Sequence, residues 1–184
     1  MHISSDTLLS ISSALLLAFA ALSAVDGIYI HLVRLRLHAH PSSWTEHVWH
    51  TGRALLFAPI LLTLFTVVSG GARLWAGIVL VVVDQALELL DTTSERDSRA
   101  PLGGLGTFEY VVHITLTTLR TAAIALALAA RPASAYALDA PNLVAELPGV
   151  WELVVAQLVP GAVLVAALHV GLAVRHRRLC GCFA

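Results

Sequence analysis

The sequence predicts an all-α integral membrane protein that forms a single domain of five transmembrane helices. Its mean hydropathy is +0.82 over 184 residues, and 58% of those residues are hydrophobic. Such a composition lies far outside the range of a soluble domain. Several apolar runs also approach the length of about 20 residues that a helix needs to cross the hydrocarbon layer.

The apolar runs place the five helices at about residues 7–37, 44–69, 73–91, 107–130 and 150–175. The second begins with a capping box, in which Ser43 precedes Glu46 by three residues. A glycine turn ends the second helix, and an acidic loop with an LGGLG turn joins the third to the fourth. Pro160 is expected to kink the fifth helix.

The distribution of arginine predicts the orientation of these helices. With the N-terminus outside, the inner side receives most of the arginines: Arg34, Arg36, Arg53, Arg96, Arg99, Arg175, Arg177 and Arg178. The outer side receives only Arg73 and Arg131. Because basic residues favour cytoplasmic loops, the C-terminus is predicted to be cytoplasmic and the protein to be a multi-pass protein of the cell's inner (cytoplasmic) membrane.

Ionisable side chains recur at helical spacing near the cytoplasmic ends. Residues at i, i+4 and i+7 share one face of a helix, and four faces are marked in this way. They carry Glu46, His50 and Arg53; Asp84, Glu88 and Asp91; Glu109 and His113; and His31, Arg34 and His38. Since a charge in hydrocarbon costs several kcal/mol unless it is paired or bound to a metal, these faces are expected to turn inward.

Glutamates and histidines from several helices are the ligands of carboxylate-bridged di-metal centres. The usual interval is Glu-x-x-His, whereas Glu46/His50 and Glu109/His113 are one residue further apart. The predicted metal ligands are His31, Glu46, His50, Asp84, Glu88, Asp91, Glu109, His113 and His169. Iron is the preferred metal for this ligand set, with zinc or manganese as alternatives. Glu95 is assigned as the catalytic residue.

Two further charged residues, Asp26 and Arg120, are predicted to lie near the middle of the membrane. They are expected to pair across the first and fourth helices. The pair either fixes helix packing or orients a substrate above it.

These residues predict a membrane-embedded metalloenzyme that acts on a lipid-like or other hydrophobic substrate, by oxidation or by metal-assisted hydrolysis. Membrane lipid and a hydrophobic small molecule are the expected partners, and a homo-oligomer is left open. No basic stripe with interleaved aromatics indicates a nucleic-acid partner. Two alternatives remain, a b-type haem protein for electron transfer and a metal-ion or proton transporter.

Some of these residues also have ordinary explanations. Glu46 completes the capping box, and Glu109 lies in a first helical turn, where the helix dipole favours an acid. Cys180 and Cys182 form a Cys-Gly-Cys near the C-terminus, interpreted as part of a reduced cytoplasmic tail, with lipidation or metal capture as alternatives.

Overall fold

The structure is a computed structural model that describes residues 4–66, 68–142 and 149–179, without the side chains of 149–156 and 177–179. It is all-helical, with five main helices. These are α1 (Ser5–Ala24), α2 (Trp44–Ile60), α3 (Gly71–Arg99), α4 (Thr107–Ala129) and α5 (Gly149–Leu179). Cys180 and Cys182 lie outside the described residues, so their roles stay predictions.

Two of these helices continue as π-helix. Val25–Arg34 extends α1, and Leu61–Phe65 extends α2. Pro59 lies just before the second of these segments, and proline disturbs the hydrogen bonding of a helix because it has no backbone N–H. Short 3₁₀ turns at Leu37–Ala39 and Pro41–Ser43 then join α1 to α2.

The helices pack around an apolar core that fills the half of the bundle away from the histidines. α1 lies against α4, and α2 lies between α3 and α5. The Ser12 hydroxyl of α1 donates to the Ala123 carbonyl of α4 at 2.6 Å. The core includes Leu16, Phe19, Leu61, Leu64, Phe65, Leu74, Ala123 and Ala127.

The bundle buries many of its charges and exposes many large apolar side chains. Val79, Val82 and Leu89 on α3 are more than half exposed, whereas the acids of the same helix are buried. Four helical stretches are long and apolar enough to span a membrane: Ser5–Arg34, Pro41–Phe65, Thr107–Ala129 and Gln157–His176. The prediction of five spanning helices is thus supported for four, because the charges of α3 leave it no apolar stretch of the required length.

α3 ends at Arg99 rather than near Asp91, so residues predicted as an acidic loop are helical. The inward face of α3 continues the earlier spacing through Glu95 and Arg99, both of which are buried. After a 3₁₀ turn, Gly103 adopts a positive φ of 98° and the Gly104 N–H donates to the Arg99 carbonyl at 2.8 Å. The predicted glycine reversal therefore begins later in the chain.

At the other end of the bundle, Arg131 closes the turn between α2 and α3. Its guanidinium donates to the carbonyls of Leu64 and Ser69, at 2.6 and 3.1 Å. Gly70 packs so closely there that an added Cβ would lie 2.5 Å from the Pro141 carbonyl oxygen. This end is held by buried backbone contacts.

Candidate metal centre

A polar cavity of about 200 Å³ opens among the helices at the histidine-rich end of the bundle. All five helical segments contribute side chains to its wall. The charged and imidazole groups that line it are Asp26, His50, Arg53, Asp84, Glu88, Asp91, Glu95, His113, Arg120 and His169. Most of the sequence-predicted site residues thus meet in one place.

Arg99 lies fully buried beside this cavity and joins three helices. Its Nη1 donates to Glu46 Oε2 at 2.6 Å, and its Nε and Nη2 donate to Glu109 Oε1 at 2.8 and 2.5 Å. Nη2 also lies 3.2 Å from His31 Nε2. Burial alone would lower the pKa of Arg99, but its hydrogen bonds to Glu109 and Glu46 raise that pKa above its ordinary value.

Arg99 is a site residue that the sequence analysis does not predict, because the charged residues after Asp91 resemble a loop. The signal that could have found it is the continuing helical spacing of Glu88, Asp91, Glu95 and Arg99. Arg99 changes the environment of two predicted ligands. Glu46 and Glu109 are each ion-paired with the Arg99 guanidinium.

A second charged network lies deeper in the cavity, between α2, α3 and α4. Arg120 donates to Asp84 and to Glu88, which also accepts from Thr117 at 2.5 Å. Arg53 lies 3.4 Å from Asp84 and 3.7 Å from Glu88. Asp84 and Glu88, predicted as metal ligands, are therefore held by two arginines.

The structure thus pairs Arg120 with α3 and not, as the sequence suggested, with Asp26. The reason is geometric, because Asp84 and Glu88 lie one turn apart on the facing helix and one guanidinium reaches both. Asp26 instead lies 3.5 Å from His31 Nε2 and 3.4 Å from His113 Nε2.

The π-helical segment brings Asp26 and His31 together. In an α-helix, residues five apart point about 140° away from each other. The i to i+5 repeat of a π-helix turns them toward one side, and π-helical segments are frequent at functional sites. Both side chains are buried and face the imidazole of His113.

Three groups of side chains offer atoms that could hold a metal ion. Each group has three potential ligand atoms within 4.8 Å of one another: Asp26, His31 and His50; His31, Glu109 and His113; and Glu46, His50 and Asp91. Ligand atoms bonded to one tetrahedral ion at about 2.1 Å lie about 3.4 Å apart, so the side chains of each group would have to move closer together to hold an ion. His31 and His50 each belong to two groups, and their ring centroids are 4.8 Å apart.

Several buried atoms in these groups have no hydrogen-bond partner. They include Asp26 Oδ1, His31 Nδ1, Glu46 Oε1 and both ring nitrogens of His113. His113 Nδ1 lies only 3.1 Å from Glu95 Oε1, but the pair is not aligned as a hydrogen bond. Buried polar atoms are normally satisfied, and the binding of an ion is one of the recognised explanations for exceptions.

Charge is also unbalanced around the cavity. Among the described residues, seven buried carboxylates belong to this region: Asp26, Glu46, Asp84, Glu88, Asp91, Glu95 and Glu109. Three arginines contact them, namely Arg53, Arg99 and Arg120. With neutral histidines, four negative charges remain, and uncompensated charge of this kind is expensive to bury. Each histidine that binds a proton beside a carboxylate, as the contacts of His50 with Asp91 and of His113 with Asp26 allow, lowers this number by one.

Besides Asp84, Glu88 and Arg120, two further predicted site residues lie outside the ligand groups. His169 stacks on His47, with ring centroids 5.4 Å apart, at the α5 wall of the cavity. Glu95, predicted as catalytic, is buried beside His113.

The chain matches no protein-family model, no curated protein and no solved structure. Its function therefore has to be inferred from the geometry of the site.

Proposed function

We propose that this chain is a multi-pass membrane protein that binds two metal ions between its helices and acts on a hydrophobic substrate. The candidate metal centre consists of Asp26, His31, Glu46, His50, Asp91, Glu109 and His113. The observation that carries the proposal is the overlap of the three ligand groups through His31 and His50. The overlap places the three groups side by side. In a two-ion centre each imidazole would serve one ion, and the carboxylates between them would bridge the two ions.

The charge balance is compatible with two ions. Two divalent cations would neutralise the four negative charges that remain around the cavity when the histidines are neutral, as they are when they bind a metal. Imidazole and carboxylate ligands suit iron, zinc and manganese, and iron is the metal we propose first. Such a centre would supply dioxygen activation with iron, or Lewis-acid activation of water with zinc.

The protein's own residues would prepare this centre. Glu95 Oε1 lies 3.1 Å from His113 Nδ1, so Glu95 is placed to fix the ring of a ligand histidine through its other nitrogen. Arg99 fixes Glu46 through one oxygen, which leaves Glu46 Oε1 free for an ion. In the proposed centre, Glu95 therefore orients a ligand and Arg99 limits the negative charge.

Exposed arginines support the proposed orientation, with the N-terminus outside and the metal centre near the cytoplasmic face. Arg34, Arg36, Arg96 and Arg175 are exposed at the metal-centre end. At the opposite end, Arg131 is buried against backbone carbonyls. Because arginine in cytoplasmic loops sets topology, we place the protein in the inner membrane in this orientation.

The apolar half of the bundle makes a transport function less well supported. A transit path for metal ions or protons needs polar groups across the whole membrane. Beyond Ser23 and Arg120, the described core is formed largely by leucine, phenylalanine and alanine, and the buried hydroxyls of Ser12 and Ser13 donate to backbone carbonyls. A haem is also disfavoured, because several carboxylates lie among the apolar side chains that line the polar cavity.

Metal analysis of the purified protein tests the proposal. Protein made in medium supplemented with iron, zinc and manganese, and purified in detergent without chelators, should contain about two metal ions per chain. The isosteric variant Asp26→Asn and the variant His31→Gln should each lose at least one of them. Asp97→Asn, at an exposed position near the end of α3, is the matched control and should keep both.

Equal metal content in Asp26→Asn, His31→Gln and the wild type would contradict the proposed centre. An optical spectrum should accompany the analysis. A Soret band would indicate haem in place of the two ions.

A further inference from the structure

A second cavity, of about 220 Å³, lies between α1, α2 and α5. Its wall is mainly apolar and includes Ile28, Phe57 and Leu158. We call it the apolar cavity. It adjoins the polar cavity, with which it shares Ser23, Gly27, Ala54, Phe57, Val165 and His169.

The apolar cavity opens on the side of the bundle and not at its end. Ala24, Ile28 and Gly161 line it and are exposed on the lateral surface of α1 and α5. Two of its lining residues, Gly27 and Gly161, leave empty space where a side chain would stand. In a membrane, this opening faces lipid, so an occupant would arrive from the bilayer.

His169 lies where the two cavities meet. It is only 4% exposed, and its Nδ1 has no hydrogen-bond partner. Stacking against His47 at an interplanar angle of 23° holds its ring in place. Ser23 and His169 are the polar side chains that line both cavities, so the imidazole is placed to meet a polar atom of a ligand there.

We propose that the two cavities together bind one single-chain amphiphile. Its hydrocarbon tail occupies the apolar cavity. Its neutral polar head group, a hydroxyl or a carbonyl, forms a hydrogen bond with the His169 imidazole. The head then faces Asp26 and His113 in the polar cavity. This inference rests on the proposed function, because it names the substrate class of the same metal centre.

The chemistry of the walls favours a neutral head over a charged one. The arginines of this wall, Arg53 and Arg120, are already paired with Asp84 and Glu88, so they leave no free cation for an anionic head group. A quaternary cation would need an aromatic cage, and the polar cavity has only two phenyl rings among its lining residues, those of Phe19 and Phe57. A long-chain alcohol matches both cavities.

Photocrosslinking tests this inference. The probe is hexadecanol with a diazirine near the end of its chain, added to the protein in phosphatidylcholine nanodiscs. Irradiation should label peptides that contain residues 20–28 and 157–165. Excess unlabelled hexadecanol should suppress this labelling at least about tenfold, whereas labelling by bulk lipid contact does not saturate.

Gly27→Leu and Gly161→Leu should each reduce the saturable labelling at least about fivefold, because leucine would fill the space that the tail needs. Both positions have room for a side chain, so the variants are expected to fold. Gly171→Leu is the matched control, since Gly171 also has open space but does not line the cavity, and it should label like the wild type.

His169→Phe keeps an aromatic ring against His47 and removes the hydrogen bond. It should raise the concentration of hexadecanol needed for half-maximal competition by about fivefold, the value of one hydrogen bond of about 1 kcal/mol. Competition by hexadecane, which has no head, should be the same in His169→Phe and in the wild type.

Metal content measured on the same samples separates the two proposals. If the wild type contains no metal but its labelling is saturable, the amphiphile site is supported and the proposed function is contradicted. Two bound metal ions with unsaturable labelling, or with labelling unchanged in Gly27→Leu and Gly161→Leu, would overturn the amphiphile site.

Discussion

The Arg99 guanidinium donates to Glu109 from two of its nitrogens, at 2.8 and 2.5 Å from the same carboxylate oxygen. A third nitrogen donates to Glu46 on α2. One fully buried side chain thus joins the end of α3 to the beginnings of α2 and α4. Three predicted ligands, His31 included, are positioned around it.

Removal of this guanidinium should destabilise the protein strongly. Arg99→Met would leave Glu46 and Glu109 buried without their partner, which costs about 3–5 kcal/mol when a buried pair is broken. Thermal unfolding in detergent measures the effect. Arg96→Met, at an exposed position on the same helix, should stay within about 0.5 kcal/mol of the wild type. An equal loss in both variants would contradict the role of Arg99.

The Arg120 network should respond differently to single and combined changes. Arg120→Met alone leaves Asp84 and Glu88 with Arg53 as their remaining cation, and we expect a loss of about 3 kcal/mol. The triple variant Arg120→Met, Asp84→Asn, Glu88→Gln removes the charges together and should recover most of that stability. Metal content should stay at the wild-type level in the triple variant, because Asp84 and Glu88 are held by arginines in the structure. Loss of metal would instead support their original prediction as ligands.

The two ends of the bundle should differ in their tolerance of alanine. Gly70→Ala would place a methyl group 2.5 Å from the Pro141 carbonyl oxygen, so backbone must shift. We expect a loss of at least about 1 kcal/mol, as for other overpacked sites. Gly106→Ala has open space and an ordinary φ of −73°, so it should be neutral or slightly stabilising in the same thermal assay. A stable Gly70→Ala protein would contradict the close packing at this end.

Acid should destabilise the loop between α1 and α2 through His38. Burial, and then the charges of Arg36 and Arg175, lower the pKa of His38 below its usual 6.5. The unfolded chain therefore binds a proton at His38 more readily than the folded chain. Its contribution to stability is present above about pH 6.5 and is lost as the pH falls toward the folded pKa.

Melting temperatures at pH 7.5 and 5.5 check this expectation. His38→Gln should lose less stability between the two pH values than the wild type does. His40→Gln removes an imidazole from the same loop whose charge contributes least to the lowered pKa of His38, so it should change the pH dependence less than His38→Gln does. An unchanged pH dependence in His38→Gln would show that other groups dominate.

The sequence predicted the helices and the inward faces of α3 and α4, because apolar length and i, i+4 spacing are local properties. Asp84, Glu88 and Asp91 do share one buried face, and Glu109 and His113 share another. Which of these acids would meet an arginine was not predictable. That depends on the rotation and depth of neighbouring helices, which no local pattern records.

Two errors in the sequence analysis have local causes. The charged residues after Asp91 resemble a loop, which predicts that α3 ends near Asp91. Their spacing nevertheless continues the helix through Arg99. Asp26 was paired with Arg120 because α1 was treated as a regular α-helix. The π-helical segment turns Asp26 toward His31 instead. The residues of Val25–Arg34 show no pattern that predicts a change from the α-helical to the π-helical repeat.

The acidic face of α3 has a consequence for biosynthesis. A single aspartate at the centre of a membrane helix raises the free energy of its insertion by about 2.5–3.5 kcal/mol, and α3 carries several acids. In the proposed membrane arrangement, α3 would therefore not enter the bilayer on its own. We expect α3 to remain at the translocon until Arg53 of α2 and Arg120 of α4 can pair with its acids. The three helices would then enter the lipid together.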